Sequence, residues 1–129
     1  METAAESAAA RARTAAALRA YKEKAGLIVS DEELAQAKET LDRGLAVFER
    51  GDFQTAAEIF QEVETYVHRQ TDVGGQALLQ RAIALDSLGR GADARPLYAA
   101  LQRHPNAYVA RTAKRLSFGF QAMKVTLTR

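Results

Sequence analysis

Apolar residues recur at three- and four-residue intervals along most of the chain, which is the spacing expected of amphipathic helices. Two such stripes occupy residues 34–48 and 53–67. Gly51 and Asp52 separate them, and a glycine in that place can adopt the left-handed conformation that ends many helices. The pattern therefore predicts a hairpin of two amphipathic helices joined by a tight turn.

The first helix of this hairpin is preceded by a capping box. Ser30 can accept a hydrogen bond from the amide three residues on, and the Glu33 carboxylate can accept one from the Ser30 amide. Asp31 and Glu32 add negative charge at the positive end of the helix dipole. We therefore expect the helix to start directly after Ser30.

The second half of the chain predicts three more helices. Residues 76–88 are apolar on almost every side, which is typical of a helix at the centre of a core. Residues 92–103 and 106–116 follow with one apolar face each, and Asn106 is placed to cap the last helix. Residues 71–75, Thr-Asp-Val-Gly-Gly, are rich in turn formers and predict a loop. The expected fold class is all-α.

The two ends of the chain differ from this pattern. Residues 4–25 are rich in Ala, the best helix former, so we expect a helix that docks through Leu18 and Tyr21. After Ser117, apolar residues alternate with polar or small ones, which favours an extended segment, or a short helix ending near Met123 followed by one. The chain thus divides into an N-terminal helix and linker over 1–29, a helical domain over 30–118 and an apolar, basic tail over 119–129.

A shift of 38 residues, which places Gly51 on Gly89, aligns the hairpin with a second copy of itself. Small residues then align with small residues, aromatic residues with aromatic residues and large apolar residues with large apolar residues, as in a repeated helical unit. The aligned pairs are Gly44 with Ala82, Ala56 with Ala94, Phe60 with Tyr98, and Val63 with Leu101.

This pattern resembles that of tetratricopeptide repeats over roughly residues 37–108. Gly44 stands at the small position where the two helices of a repeat cross, and Phe48 and Phe60 stand at aromatic positions. The segment 104–106, His-Pro-Asn, is similar to the proline-marked end of a repeat. The resemblance implies two α-α hairpin repeats, with the N-terminal and last helices capping their shared core.

The resemblance also implies a partner groove on the first helix of each repeat. Co-chaperone members of the family grip a C-terminal carboxylate there with Lys and Asn, but Leu41 and Leu45 stand in those places. We therefore expect an apolar groove, filled either by the chain's own N-terminal helix or tail, or by an amphipathic or extended partner segment. Its expected lining residues are Leu41, Leu45, Phe48, Leu79, Ile83 and Asp86.

Charge is distributed unevenly along the chain, although the net charge is only +2. Seven basic residues and no carboxylate follow Asp93. Such a region is either a solubilising face or a docking surface for an acidic partner, an anionic membrane or nucleic acid. We expect a basic face formed by Arg103, Arg111, Lys114, Arg115 and Lys124, and tail docking through Phe118, Phe120 and Met123.

Composition excludes several kinds of site in this 129-residue chain, which is long enough for one domain. The absence of Cys excludes disulfides, thiolate metal sites and a Cys nucleophile, and fits a reducing compartment such as the cytoplasm. His68 and His104 lack a carboxylate or second His at metal-ligand spacing, so we interpret both as surface or helix-end residues. We expect no catalytic residue, metal, cofactor or small-molecule substrate.

The sequence favours a soluble, non-enzymatic adaptor or assembly factor that binds another protein or complex through the apolar groove. Two alternatives stay open. One is a structural subunit of a larger complex, docked by its C-terminal tail, and the other is a binder of nucleic acid or anionic membrane through the basic face. The order Arg-Leu-Ser-Phe-Gly-Phe-Gln-Ala-Met, after an Ala-rich start, resembles small plastid proteins of plants and algae.

Overall fold

The computed structural model describes residues 4–24 and 29–127, and the side chains of 4–21 and 29–118. These residues form α-helices and one short 3-10 helix, with no strand among them, so the all-α fold class is confirmed. The α-helices are α1 (Ala4–Lys24), α2 (Asp31–Glu49), α3 (Phe53–Glu62), α4 (Asp72–Ser87), α5 (Gly91–Leu101) and α6 (Ala107–Leu127), and the 3-10 helix is Val63–Thr65.

Helices α2 to α6 pack as successive hairpins around α4. Each helix from α2 onward contacts the next one in the chain, and α4 also contacts α2 and α6. Helix α4 therefore touches four other helices, in agreement with the apolar residues that its sequence carries on almost every side. Its buried residues include Ala77, Leu78, Leu79, Ala82, Ala84 and Leu85.

The two hairpin turns use glycine for its backbone conformation. Gly51 has a φ of 84° and Gly89 a φ of 77°, and neither has an atom within 4 Å of where a Cβ would lie. Because the surroundings are open, the left-handed conformation alone favours glycine at both positions. The predicted left-handed end of α2 at Gly51 is confirmed.

Glycine serves a different purpose where α2 crosses α3. A Cβ on Gly44 would lie 2.6 Å from Cε1 of the Phe60 ring, so the ring fits only because the side chain is missing. All four pairs of residues aligned by the 38-residue shift are buried. Equivalent burial in the two hairpins fits a repeat, which stays a prediction.

The N-terminus of α2 is capped largely as expected. The Glu33 amide donates to the Ser30 hydroxyl at 3.1 Å, and the helix begins at Asp31. The Glu33 carboxylate accepts from the same hydroxyl at 3.0 Å, whereas the sequence predicted a bond from the Ser30 amide. The N-cap itself is therefore confirmed, with a different second hydrogen bond.

The predicted loop over 71–75 is wrong, because α4 already begins at Asp72. The Thr71 hydroxyl caps it by accepting a hydrogen bond from the Gly74 amide at 3.1 Å. A Cβ on Gly74 would collide with the His68 carbonyl oxygen, and one on Gly75 would collide with the His104 ring. The two glycines are thus present for close packing at the first turn of a helix.

Both predictions for the chain ends need correction. Helix α6 continues to Leu127, so the expected extended tail is wrong. A helix satisfies its own backbone hydrogen bonds, whereas an extended segment needs a partner strand, and the described residues offer none. Leu18 and Tyr21 are 53% and 66% exposed, and α1 contacts no other helix in the described part, so the predicted docking of α1 is also wrong.

Candidate partner-binding surface

A depression of about 190 Å³ lies on the side of the molecule formed by α2, α4 and α6. It coincides in part with the groove expected from the sequence, and we call it the groove. Three of its residues are apolar, two carry amides and one is a tyrosine. They are Leu41 and Leu45 on α2, Gln76, Leu79 and Gln80 on α4, and Tyr108 on α6.

The groove has an apolar floor and a more polar rim. Leu41 and Leu79 are only 6% and 2% exposed, so they belong to the core. Each exposes only a small part of its side chain to the groove. Gln76 is exposed, and Tyr108 is 64% exposed at the edge. A buried apolar centre surrounded by polar groups is the usual anatomy of a protein interface.

Two predicted groove residues are placed elsewhere by the structure. The Phe48 ring stacks at a tilt of 60° on Phe53, with 4.9 Å between the ring centroids, at the turn between α2 and α3. Ile83 is half-buried and packs against the core cluster to which α3, α4, α5 and α6 contribute. Neither residue lines the groove, and their apolar character is explained by packing.

Asp86 is a third predicted groove residue that does not line the groove, because it forms a hydrogen bond with another helix. Its carboxylate accepts a hydrogen bond of 2.9 Å from the Tyr98 hydroxyl and so ties α4 to α5. Burial of the phenol raises the pKa of Tyr98 well above its ordinary value, and the hydrogen bond and negative charge of Asp86 raise it further. Tyr98 therefore stays protonated as the donor, and Asp86 is an internal acceptor.

A second depression, of about 310 Å³, adjoins the groove along α6. Its lining residues are Tyr108, Arg111, Thr112 and Arg115, and we call it the basic pocket. Arg111 and Arg115 are exposed and four residues apart, which places them on one face of the helix. Tyr108 lines both depressions, so the groove and the basic pocket are neighbours.

The other described residues of the predicted basic face and tail, Arg103, Lys114 and Phe118, do not line these depressions. Arg103 and Lys114 are exposed, and Phe118 is exposed at the edge of the described side chains. The side chains of Lys124, Phe120 and Met123 lie outside the described residues. The predicted basic face is thus only partly gathered into one place, by Arg111 and Arg115.

A third depression lies on the opposite side of α4, between α3 and α5. It has a volume of about 430 Å³ and mixes charges of both signs. Arg90 and Asp93 on its edge form an ion pair at 2.9 Å. Exposed ion pairs of this kind contribute little to the stability of a fold. The spacing of apolar residues does not indicate this depression, because it forms where segments distant in sequence meet.

His104 lies between the end of α5 and the start of α6, as expected of a helix-end residue, but it is buried and not at the surface. Its Nδ1 accepts a hydrogen bond of 2.9 Å from the Asn106 amide, so the proton of the neutral ring is on Nε2. Nε2 lies 2.9 Å from the Arg69 carbonyl oxygen and 3.1 Å from that of Thr71. The predicted cap by Asn106 is confirmed, because its side-chain oxygen accepts from the Tyr108 amide at 3.0 Å.

Within the described ranges 4–24 and 29–127, no three His, Asp or Glu residues are grouped as metal ligands would be. None of the described helices is both long and apolar enough to cross a membrane.

Comparison with known proteins adds no relative. No family model matches the chain, and no curated protein or solved structure matches it significantly. The resemblance to tetratricopeptide repeats therefore rests on the residue pattern and stays a prediction.

Proposed function

We propose that this protein is a non-enzymatic adaptor or assembly factor, built from two tetratricopeptide-like hairpins, that binds a partner protein in its groove. The observation that carries the proposal is an apolar floor on the side formed by α2, α4 and α6, surrounded by exposed polar groups. Leu45 is half-buried there and can gain contact from an inserted side chain. We assign the protein to a reducing compartment on its lack of Cys. The two candidates are the cytoplasm and, on the resemblance to small plastid proteins, the chloroplast stroma.

The position of α1 supports an external occupant. In the described part of the chain, α1 contacts no other helix, so it does not fill the groove. Interfaces of proteins that bind partners are centred on a few well-packed apolar or aromatic anchors. The groove, with leucines below and Tyr108 at the edge, offers a place for one such anchor.

The proposal predicts that Leu45→Glu removes partner binding while the fold is kept. A carboxylate at this half-buried position would have to be desolvated when a partner's apolar side chain enters. Proteins that co-purify with the full chain from its native source should be compared for wild type, Leu45→Glu and Leu88→Glu. Leu88 is an exposed leucine at the turn after α4, outside the groove, and serves as the matched control.

We expect Leu45→Glu to lose at least one protein that Leu88→Glu retains, with both variants folded by circular dichroism. If the two variants retain the same proteins as wild type, the groove is not the binding surface.

A second candidate function, binding of single-stranded nucleic acid or an anionic membrane, is favoured by one specific observation. Tyr108 and Phe118 are exposed aromatics on the same helix as the exposed Arg111, Lys114 and Arg115. Aromatic rings next to cations provide stacking and phosphate contacts for unpaired bases. Retention on RNA or anionic vesicles that falls as salt rises would support it, and no retention at low salt would exclude it.

A structural subunit docked through its C-terminal end is the other alternative, and the exposed Phe118 is compatible with it. In that case Phe118→Ala would release the protein from its complex, and Leu45→Glu would leave it bound.

A further inference from the structure

The groove and the basic pocket are adjacent and share Tyr108 as a lining residue, so we treat them together as one surface. We infer that this surface takes an acidic amphipathic segment of another protein, with an apolar side chain in the groove and neighbouring carboxylates in the basic pocket. The inference rests on the proposed function and adds the chemistry of the partner.

The charge of the surface selects for carboxylates. None of the described residues that line the two depressions is acidic, and no Asp or Glu follows Asp93 in the sequence. The side chains of Arg111 and Arg115 form no ion pair within the described residues, and the only side-chain hydrogen bond of Arg111 there runs from Nε to the Ala107 carbonyl oxygen at 3.4 Å. Guanidinium groups with free nitrogens bind carboxylates in two-pronged hydrogen bonds.

The amides in the groove suit a peptide backbone. The side chains of Gln76 and Gln80 make no hydrogen bond within the described part of the chain. A glutamine side chain carries both donors and an acceptor, so it can pair with the N–H and C=O groups of a segment laid across it. The surface thus offers three things side by side: an apolar contact for an anchoring side chain, side-chain amides that can bind a peptide backbone, and two neighbouring arginines.

The chain's own α1 is a poor occupant on the same electrostatic grounds. Its described side chains include Arg11, Arg13 and Arg19 against the single carboxylate Glu6. Placing this cationic helix over Arg111 and Arg115 would bring like charges together, which disfavours the complex.

A nucleic acid would use the surface differently. Phosphates would meet Lys114 as readily as its two arginine neighbours, since all three are exposed on α6. The apolar floor of the groove would contribute nothing to phosphate binding. Lys114 does not line either depression, so it separates the two kinds of partner experimentally.

The first test is selection of peptides from a random library displayed on phage, with the immobilised full chain as bait. Display through the C-terminal end of each peptide leaves no free C-terminal carboxylate, so only side chains can supply the acid. We expect enriched sequences with a large apolar residue close to two or more Asp or Glu. Enrichment of neutral sequences would overturn this inference and leave the proposed function standing. Enrichment of Ala- and Arg-rich sequences like that of α1 would overturn it and indicate that the chain's own α1 is the occupant. If nothing is enriched, the proposed function fails as well.

The second test measures one enriched peptide by fluorescence anisotropy against four full-length proteins. Arg111→Glu and Arg115→Glu should each weaken binding by about tenfold or more, since each replaces an attraction with a repulsion. Lys114→Glu has the same change in net charge on the same helix and should change the affinity by less than about twofold. Equal losses in all three variants would overturn the inference and indicate diffuse attraction, as expected of a nucleic-acid surface.

Discussion

His104 joins the segment before α6 to the start of α4 through one buried ring. Its Nε2 lies against the carbonyl oxygens of Arg69 and Thr71, which precede α4, and its Nδ1 binds the Asn106 amide, which precedes α6. The ring also lies so close to Gly75 that no Cβ fits there. In the sequence this residue is an isolated His before a Pro, and nothing local distinguishes it from a surface residue.

At this scale we predict that Gly75→Ala and His104→Ala are strongly coupled. In the wild-type background Gly75→Ala should destabilise the protein by about 1–3 kcal/mol, because the new methyl group overpacks the ring. With His104→Ala the ring is gone, and Ala in place of Gly in a helix should then be neutral or stabilising by up to about 1 kcal/mol. Urea unfolding of the four proteins gives the coupling free energy.

Gly74→Ala is the matched control for that cycle. A Cβ on Gly74 would meet the His68 carbonyl oxygen, which is backbone and survives any side-chain replacement. Gly74→Ala should therefore lower the free energy of unfolding by the same amount with and without the His104 ring. An equal cost of Gly75→Ala in both backgrounds would show that the His104 ring does not occupy the space beside α4.

At the scale of the element, the sequence was sufficient wherever a local signal sets the structure. The stripe spacing, the Ser30 and Asn106 caps and Gly51 predict helices whose starts or ends the structure confirms. The start of α4 was missed because Gly74 and Gly75 resemble turn residues, while their actual constraint comes from atoms distant in sequence. Local composition cannot report such contacts.

The groove shows the same division between local and distant information. Helical spacing and the family resemblance together predicted Leu41, Leu45 and Leu79, which the structure brings together. Tyr108 was missed as a lining residue, because its contribution depends on how α6 lies against α4. Asp86 was misassigned because its partner Tyr98 is on the next helix, a pairing that no periodicity indicates.

The N-cap of α3 gives a prediction about pH. Hydrogen bonds from the hydroxyl and amide of Thr55 hold the pKa of Asp52 below its ordinary value. The ionised cap therefore stabilises the fold above the ordinary pKa, and this contribution is lost as the pH falls through the lower folded pKa. Asp52→Asn keeps a capping side chain that does not titrate.

We expect the free energy of unfolding of wild type, relative to Asp52→Asn, to fall as the pH decreases below about 4. The other carboxylates titrate in both proteins and cancel in the difference, which chemical denaturation at several pH values would measure. A difference that is constant with pH would show that the Asp52 carboxylate does not cap α3 in its ionised form.

At the scale of the whole molecule, the apolar groove and two neighbouring arginines lie on the same side. Helices α2, α4 and α6 meet there around an apolar floor, and the cationic C-terminal third provides Arg111 and Arg115 beside it. The opposite side of α4 has a larger depression, but its charges are mixed and partly paired with one another. This difference is why we assign partner binding to the first side.

The most direct test of that assignment is photo-crosslinking from a single position on each side of α4. A photoreactive residue replaces Gln80 in the groove or Gln61 in the opposite depression, and the full chain is irradiated with extract of its native source. We predict a crosslink from position 80 to an acidic amphipathic segment, identified by mass spectrometry, and none to that segment from position 61. Crosslinking of the same partner from position 61 and not from position 80 would contradict the account.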